Sequence, residues 1–228
     1  MLWAAAHACE EQACASGKPK HLVYHNMVAS PLQWMRLFFS GQKGSLVRDH
    51  LLADRWQCVR YLVRTDASTT GLGAVLICAR TLKPLGFLCT PITVLDRKRL
   101  GAPLEPDPAW MAEWEILAVL VALKTWAGQL TGQRTGFLLQ MDSKAALGAA
   151  LKLASPTPTV NLLAAEVSLA LETLGVEVLQ GEHYRGVINV EADALSRILE
   201  GKGIPRSLWH LKATNVPPRS EIYSIPVK

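Results

Sequence analysis

From residue 61 onward, apolar and polar positions fall into short, regular blocks. YLVRTD reads as a strand, STTG turns it, and LGAVLICA reads as a second strand. LKPLGFLCT gives a third after a Lys-Pro turn, so the three predict an antiparallel meander. GFLLQM, residues 136–141, supplies a fourth strand and VEVLQGEHY a fifth. Residues 91–108 read as a loop with room for one short helical turn. Asp107 as N-cap and Pro108 at the first helical position start a helix that runs to about Trp126. Ser143 can cap KAALGAALKLA, which SPTPT ends because proline cannot continue it. A helix over roughly 159–174 ends at Gly175, and Asn189 can cap a last helix through about Leu199.

This order predicts an α/β fold: a five-stranded mixed sheet, its first three strands antiparallel, flanked by helices. Upstream, PLQWMRLFF spaces Leu32, Met35 and Phe39 as one helix face, with Pro31 suited to a first turn. Residues 1–60 then read as a segment leading into a main domain at 61–200. Residues 201–228 read as a basic, proline-containing, weakly structured tail.

Composition narrows the class. Half of the 228 residues are hydrophobic and 19% are charged, which suits a chain with a buried core. Cys9, Cys14, Cys58, Cys78 and Cys89 form no CxxC pair, which argues against a disulfide framework or a zinc site. No apolar run reaches the ~18 residues of a membrane span. The opening MLWAAAHACEEQACA has no basic stretch before its apolar run, unlike a signal peptide. The expected location is therefore intracellular, cytoplasmic or nuclear. The net charge of +5 is uneven: residues 61–200 carry twelve Lys/Arg against fourteen Asp/Glu, and residues 201–228 carry five against one. An acidic centre with basic flanks suits a cation site that handles a polyanion.

Four acids interrupt otherwise apolar elements: Asp66 at the end of the first strand, Glu115 in the first long helix, Asp142 at the end of the fourth strand and Asp193 in the first turn of the last helix. If the first and fourth strands are neighbours, Asp66 and Asp142 emerge side by side. Ala118 and Ala122 follow Glu115 on the same helix face, and their small size lets the helix approach the sheet. Glu113 points elsewhere and reads as the more exposed of the two. Taken singly, each acid is an ordinary cap or surface charge. Together they repel one another unless a cation joins them. Oxygen-only ligands fit Mg²⁺, and two ions about 4 Å apart would clamp both oxygens of a phosphoryl transfer.

These residues resemble the type 1 ribonuclease H domain of retroelement reverse transcriptases, of the gypsy and related kinds. Thr65-Asp66-Ala67-Ser68 through Gly71, Gly73 and Leu76 match the opening pattern. Glu115, Leu117, Ala118, Ala122, Leu123 and Trp126 match the central helix, and Asp142-Ser143 the next strand end. Gly186, Asn189 and Ala192 through Arg197 (ADALSR) match the closing motif. The likeness covers about residues 61–200. It implies hydrolysis of the RNA strand of an RNA–DNA hybrid, with Asp66, Glu115, Asp142 and Asp193 holding two Mg²⁺ ions, or Mn²⁺. It implies Ser68, Ser143 and Asn189 as substrate-side or supporting polar groups, although turn and cap roles explain them equally well. It also implies a polymerase from the same polyprotein as partner. The chain departs from cellular relatives in lacking a His in the loop before the last helix and a basic handle helix; His183 reads as structural. Two other readings stand beside this one: a catalytically silent nucleic-acid-binding or assembly module, and an integrase- or transposase-like nuclease.

Overall fold

The computed structural model describes residues 25–41, 59–131, 136–185 and 188–224. The Ala-rich opening, most of GQKGS, the lead-in at 45–58, Gly186, Cys9, Cys14 and Cys58 lie outside the described residues. The chain divides into two compact units, residues 1–48 and 49–228.

In the first unit, α1 (His25–Phe39) begins six residues earlier than expected. Pro31 therefore lies inside the helix, not in its first turn. A proline there has no N–H to give, so the helix forgoes one backbone hydrogen bond. Among the described side chains of this helix Trp34 is buried, whereas Leu32, Met35 and Phe39 are exposed.

In the second unit, β1 (Tyr61–Ala67), β2 (Gly71–Cys78), β3 (Pro84–Pro91), β4 (Gly136–Met141) and β5 (Glu177–His183) form one sheet in the order β3-β2-β1-β4-β5. β1 runs antiparallel to β2, and β2 to β3; β4 lies parallel between β1 and β5. This is the expected five-stranded mixed sheet. Strand side chains alternate between faces. Val63, Leu72, Ala74, Leu76, Leu88, Phe137 and Leu139 join one core, and Leu62, Val75, Ile77 and Phe87 join a second.

Among the described residues, six more α-helices accompany the sheet: α2 (Val94–Leu100), α3 (Met111–Thr125), α4 (Ala127–Leu130), α5 (Lys144–Lys152), α6 (Pro158–Leu174) and α7 (Val190–Ser196), with a last turn α8 (Arg219–Ile222). Every residue of α3 from Glu113 to Leu123 is buried, because it touches β1 and β2 as well as α5 and α6. A helix that is apolar all round belongs in a core. Ser143 accepts from the Ala146 N–H (3.2 Å) and Gly175 ends α6 at φ 66°, as expected; Asp107 accepts from the Ala109 N–H (2.9 Å) but caps a 3₁₀ turn, Pro108–Trp110, that leads into α3 at Met111. The second face is covered by α7, through Leu195, and by Leu208.

Two expectations are corrected. The 91–108 loop holds a full helix, α2, started by a capping box in which Thr93 and Asp96 bond each other's backbone N–H. The segment after residue 200 is not a loose tail. Leu208 and Ile222 are fully buried and Tyr223 nearly so. Arg219 Nε and the Tyr223 hydroxyl both donate to the buried Asp96 carboxylate, at 2.9 and 2.7 Å. The Ser224 N–H donates to buried Glu166, which also pairs with Arg99 (2.9 Å). Thr214 bonds the Phe87 carbonyl at 2.7 Å, where a short parallel bridge forms along β3. Scattered apolar residues and long-range ion pairs, not periodicity, tie this segment down. No helix among the described residues is long and apolar enough to cross a membrane.

Candidate metal centre

Strand register brings the first two acids together. β1 and β4 run parallel with Arg64 opposite Gln140. Asp66 and Asp142 each lie two residues further on, so both stand level at the same end of the sheet. α3 crosses this end, and Ala118 and Ala122, both fully buried, let it lie close. Glu115 thereby reaches the strand ends. One carboxylate oxygen from each of Asp66, Glu115 and Asp142 lies within 4.8 Å of the others.

The electrostatics of this group are unbalanced. Burial pushes the Asp66 carboxyl up to about 7; the Ser196 hydroxyl works against it, and Asp142 and Asp193 reinforce it. Burial likewise holds Glu115 well above the usual carboxylate range, helped by the charges of Asp66 and Asp142. Its Oε2 is buried and accepts no hydrogen bond. Among the described residues, no lysine or arginine bonds any of these three acids. Crowded carboxyls with an unused buried acceptor either keep their protons or hold a cation through oxygen ligands.

Asp193 stands beside this group rather than in it. It raises the Asp66 proton affinity from nearby, but its own oxygens are engaged by Arg197 (2.8 Å) and Lys202. Its partial burial would raise its pKa; the hydrogen bonds from those two cations outweigh this and lower it. The structure thus brings three of the four expected acids together and pairs the fourth with protein cations.

The polar candidates divide. Asn189 is fully buried and lies at the N-terminus of α7, but its side chain does not cap that helix. Its amide donates to the Thr65 carbonyl (3.3 Å) and approaches Asp66 Oδ1 (3.5 Å), which ties α7 to the end of β1. Ser68 is buried in the turn between β1 and β2, where its hydroxyl accepts from the Thr70 and Gly71 N–H groups and donates to the Ser196 carbonyl. Ser143, half-buried next to Asp142, caps α5. His183 lies in β5.

Sequence reasoning missed Ser196. Its hydroxyl donates to Asp66 Oδ2 at 2.6 Å, also lying 2.9 Å from the Asp193 carbonyl. The available signal was the Ser of ADALSR, one turn after Asp193 on the same helix. Glu113 was misplaced: it is buried and accepts from the Thr159 hydroxyl of α6 at 2.5 Å. Periodicity gave it a separate face from Glu115, but α6 covers that face.

The glycines of the opening motif also have a physical role. A Cβ at Gly73 would stand 2.5 Å from both the Ala192 carbonyl oxygen and the Ser196 nitrogen, and one at Gly71 2.5 Å from the Ser196 carbonyl oxygen. Without side chains there, α7 rests directly on β2. That close approach sets Ser196 and Asp193 beside Asp66.

No family profile matches the chain, and no curated protein does. Solved structures do. RNase H1 from the halophilic archaeon Halobacterium salinarum aligns at 17% identity and TM-score 0.47, over 62% of this chain and 98% of that one. An RNase H1 isolated from compost by a metagenomic approach aligns at 15% identity and TM-score 0.42, over 60% and 91%. The N-terminal RNase H domain of a Mycobacterium tuberculosis protein aligns at 16% identity and TM-score 0.41, over 61% and 90%.

Proposed function

We propose that the chain is a metal-dependent ribonuclease of the ribonuclease H kind, hydrolysing the RNA strand of RNA–DNA hybrids in the setting of a retroelement reverse transcriptase. The observation that carries this reading is the meeting of Asp66, Glu115 and Asp142 at one sheet end, from the elements where the resemblance expects them. The donor set fits a divalent ion: oxygen ligands only, strongly repelling, with Glu115 Oε2 buried and unsatisfied. Asp66, Glu115 and Asp142 would hold it, with Asp193 as the fourth ligand of a two-ion site once released from Arg197 and Lys202. Bound there, Mg²⁺ or Mn²⁺ supplies activation of water and charge stabilisation at the leaving 3′ oxygen.

The chain's own residues prepare this chemistry. Ser196 orients Asp66, and Asn189 locks the end of β1 to α7. The deep setting of Glu115 excludes water from one side of the cluster. Of the polar candidates for substrate contacts, Ser143 is half-buried beside Asp142, whereas Ser68 and Asn189 are buried. The hybrid would be read by its 2′-hydroxyls and phosphates, not by sequence. The polymerase of the same polyprotein is the proposed partner.

One observation favours a second reading, a silent nucleic-acid-binding module: both oxygens of Asp193 are taken by protein cations. The deciding experiment is cleavage of a labelled RNA strand in a hybrid, with Mg²⁺ or Mn²⁺, beside an Asp142→Asn control. Cleavage by the parent chain alone, sparing single-stranded RNA and DNA duplex, supports the enzyme. A folded protein that cleaves nothing with either metal supports the silent module.

A further inference from the structure

The segment 202–212 carries Lys202, Arg206, Trp209, His210 and Lys212, all exposed, and no acidic residue. It is nonetheless fixed to the domain. Leu208 is fully buried in the second core beside Leu195 of α7. The Ser207 hydroxyl bonds Glu191 of the same helix at 3.3 Å, and Lys202 pairs with Asp193 two residues further on. The segment therefore runs along the helix that borders the carboxylate cluster.

Its aromatic residue is unusual. Trp209 is 67% exposed, yet its indole N–H is held by the Ile204 carbonyl at 2.8 Å. The Arg206 guanidinium lies 5.7 Å from the ring centroid. Among the described residues, neither Arg206 nor Lys212 is paired with a carboxylate. A large apolar ring held by its edge, exposed on its faces and bordered by the unpaired Arg206, buries little of its surface in the fold. It suits a ligand that offers both π-faces or sugars and negative charge, which is a nucleic-acid strand.

We propose that residues 202–212 form a nucleic-acid-binding strap, with Arg206 and Lys212 on backbone phosphates and Trp209 against a sugar or base, guiding the hybrid towards the carboxylate cluster. This rests on the proposed nuclease function. Charge complementarity commits the surface to a polyanion: the segment has three Lys/Arg and no Asp or Glu.

The test measures binding of a labelled RNA–DNA hybrid by fluorescence anisotropy across a salt series, in the Asp142→Asn background without divalent metal. The Arg206→Ala/Lys212→Ala double variant is expected to bind about tenfold more weakly, with the slope of log Kd against log salt reduced by about 2. Trp209→Ala is expected to weaken binding about fivefold or more, with little change in slope. Arg206→Lys/Lys212→Arg should restore affinity, which separates lost charge from lost folding. Unchanged affinity and slope in the double variant overturn the proposal, as does an absence of hybrid binding by the parent at low salt. Hybrid cleavage by the otherwise parental chain with unaltered binding in the double variant removes the strap and keeps the nuclease. Binding through Arg206 and Lys212 without cleavage keeps the strap and removes the nuclease.

Discussion

Two groups of buried or half-buried carboxylates lie in this domain, and they are treated in opposite ways. Asp96 and Glu166 are fully buried, but each meets a guanidinium: Arg219 on Asp96 and Arg99 on Glu166, with Tyr223 and the Ser224 N–H completing the set. Asp66, Glu115 and Asp142 meet chiefly one another. The first group closes its electrostatics inside the chain and so belongs to folding. The second has no lysine or arginine bonded to it among the described residues, so its acids keep protons or hold a cation, and folding gains nothing from their ionisation. Burial alone does not distinguish a functional acid from a structural one; the missing counter-charge does.

The largest expected effect breaks the second group. Asp142→Asn removes one ligand and one charge, and hybrid cleavage should fall by about 1,000-fold or more, as expected when several kcal/mol of charge stabilisation are lost. In the same variant the metal-free protein should melt higher than the parent, because a repulsion is relieved. Calorimetry with and without Mg²⁺ checks both signs. A lower melting point without metal would mean that the cluster is neutralised within the chain, and the comparison would collapse.

The mirror experiment breaks the first group. Arg219→Ala leaves Asp96 buried without its cation and should cost about 3–5 kcal/mol in urea unfolding. Mg²⁺ should not recover that loss. A cost below about 1 kcal/mol would show that residues 201–224 contribute little to the domain.

Between these two groups runs the boundary of what the chain reveals as text. Asp66 and Asp142 could be placed because each ends an apolar strand, and parallel neighbours put such ends level. Glu115 could be placed because Ala118 and Ala122 mark its face. Glu113 could not, because periodicity says which residues share a face but not that α6 covers the other one. Asp96 and Arg219 stand 123 residues apart, and no local pattern announces their pairing. The segment after 200 was misread for the same reason: Leu208 and the pair Ile222-Tyr223 follow no helix or strand period. Gly71 and Gly73 were legible as part of a motif, but their role needs the backbone of α7 in place.

A smaller effect sharpens the comparison through pH. The Asp66 carboxyl lies at about 7 in the folded protein against 3.8 for an ordinary one. Between those values the folded chain keeps a proton that the unfolded chain releases, so its stability falls as pH rises. The contribution is complete below pH about 4 and gone above about 7. Glu115, shifted in the same direction, adds to it. Urea midpoints of metal-free protein should therefore decline across this window, and Mg²⁺ should flatten the decline. Asp142→Asn should flatten it too, since the charge that opposes ionisation of its neighbours is gone. A stability that climbs over the same range would contradict the raised carboxyls.

The smallest effect concerns Ser196, whose hydroxyl is the direct side-chain support of Asp66. Removing it by Ser196→Ala deletes one hydrogen bond to a carboxylate, worth about 1–3 kcal/mol to the charged form. Asp66 then holds its proton more tightly, and a cation must displace that proton to bind. Mg²⁺ affinity near pH 7 should therefore weaken, about tenfold for each unit by which the carboxyl rises. The deficit should shrink as pH climbs towards 9, because Asp66 is ionised there in both proteins. Titration calorimetry with Mg²⁺ at three pH values reads this directly, without reference to catalysis. A deficit that stays constant with pH would mean that Ser196 acts by geometry alone, holding the carboxylate in place. No deficit at any pH would place Asp66 outside the ligand set and reduce the candidate centre to Glu115 and Asp142.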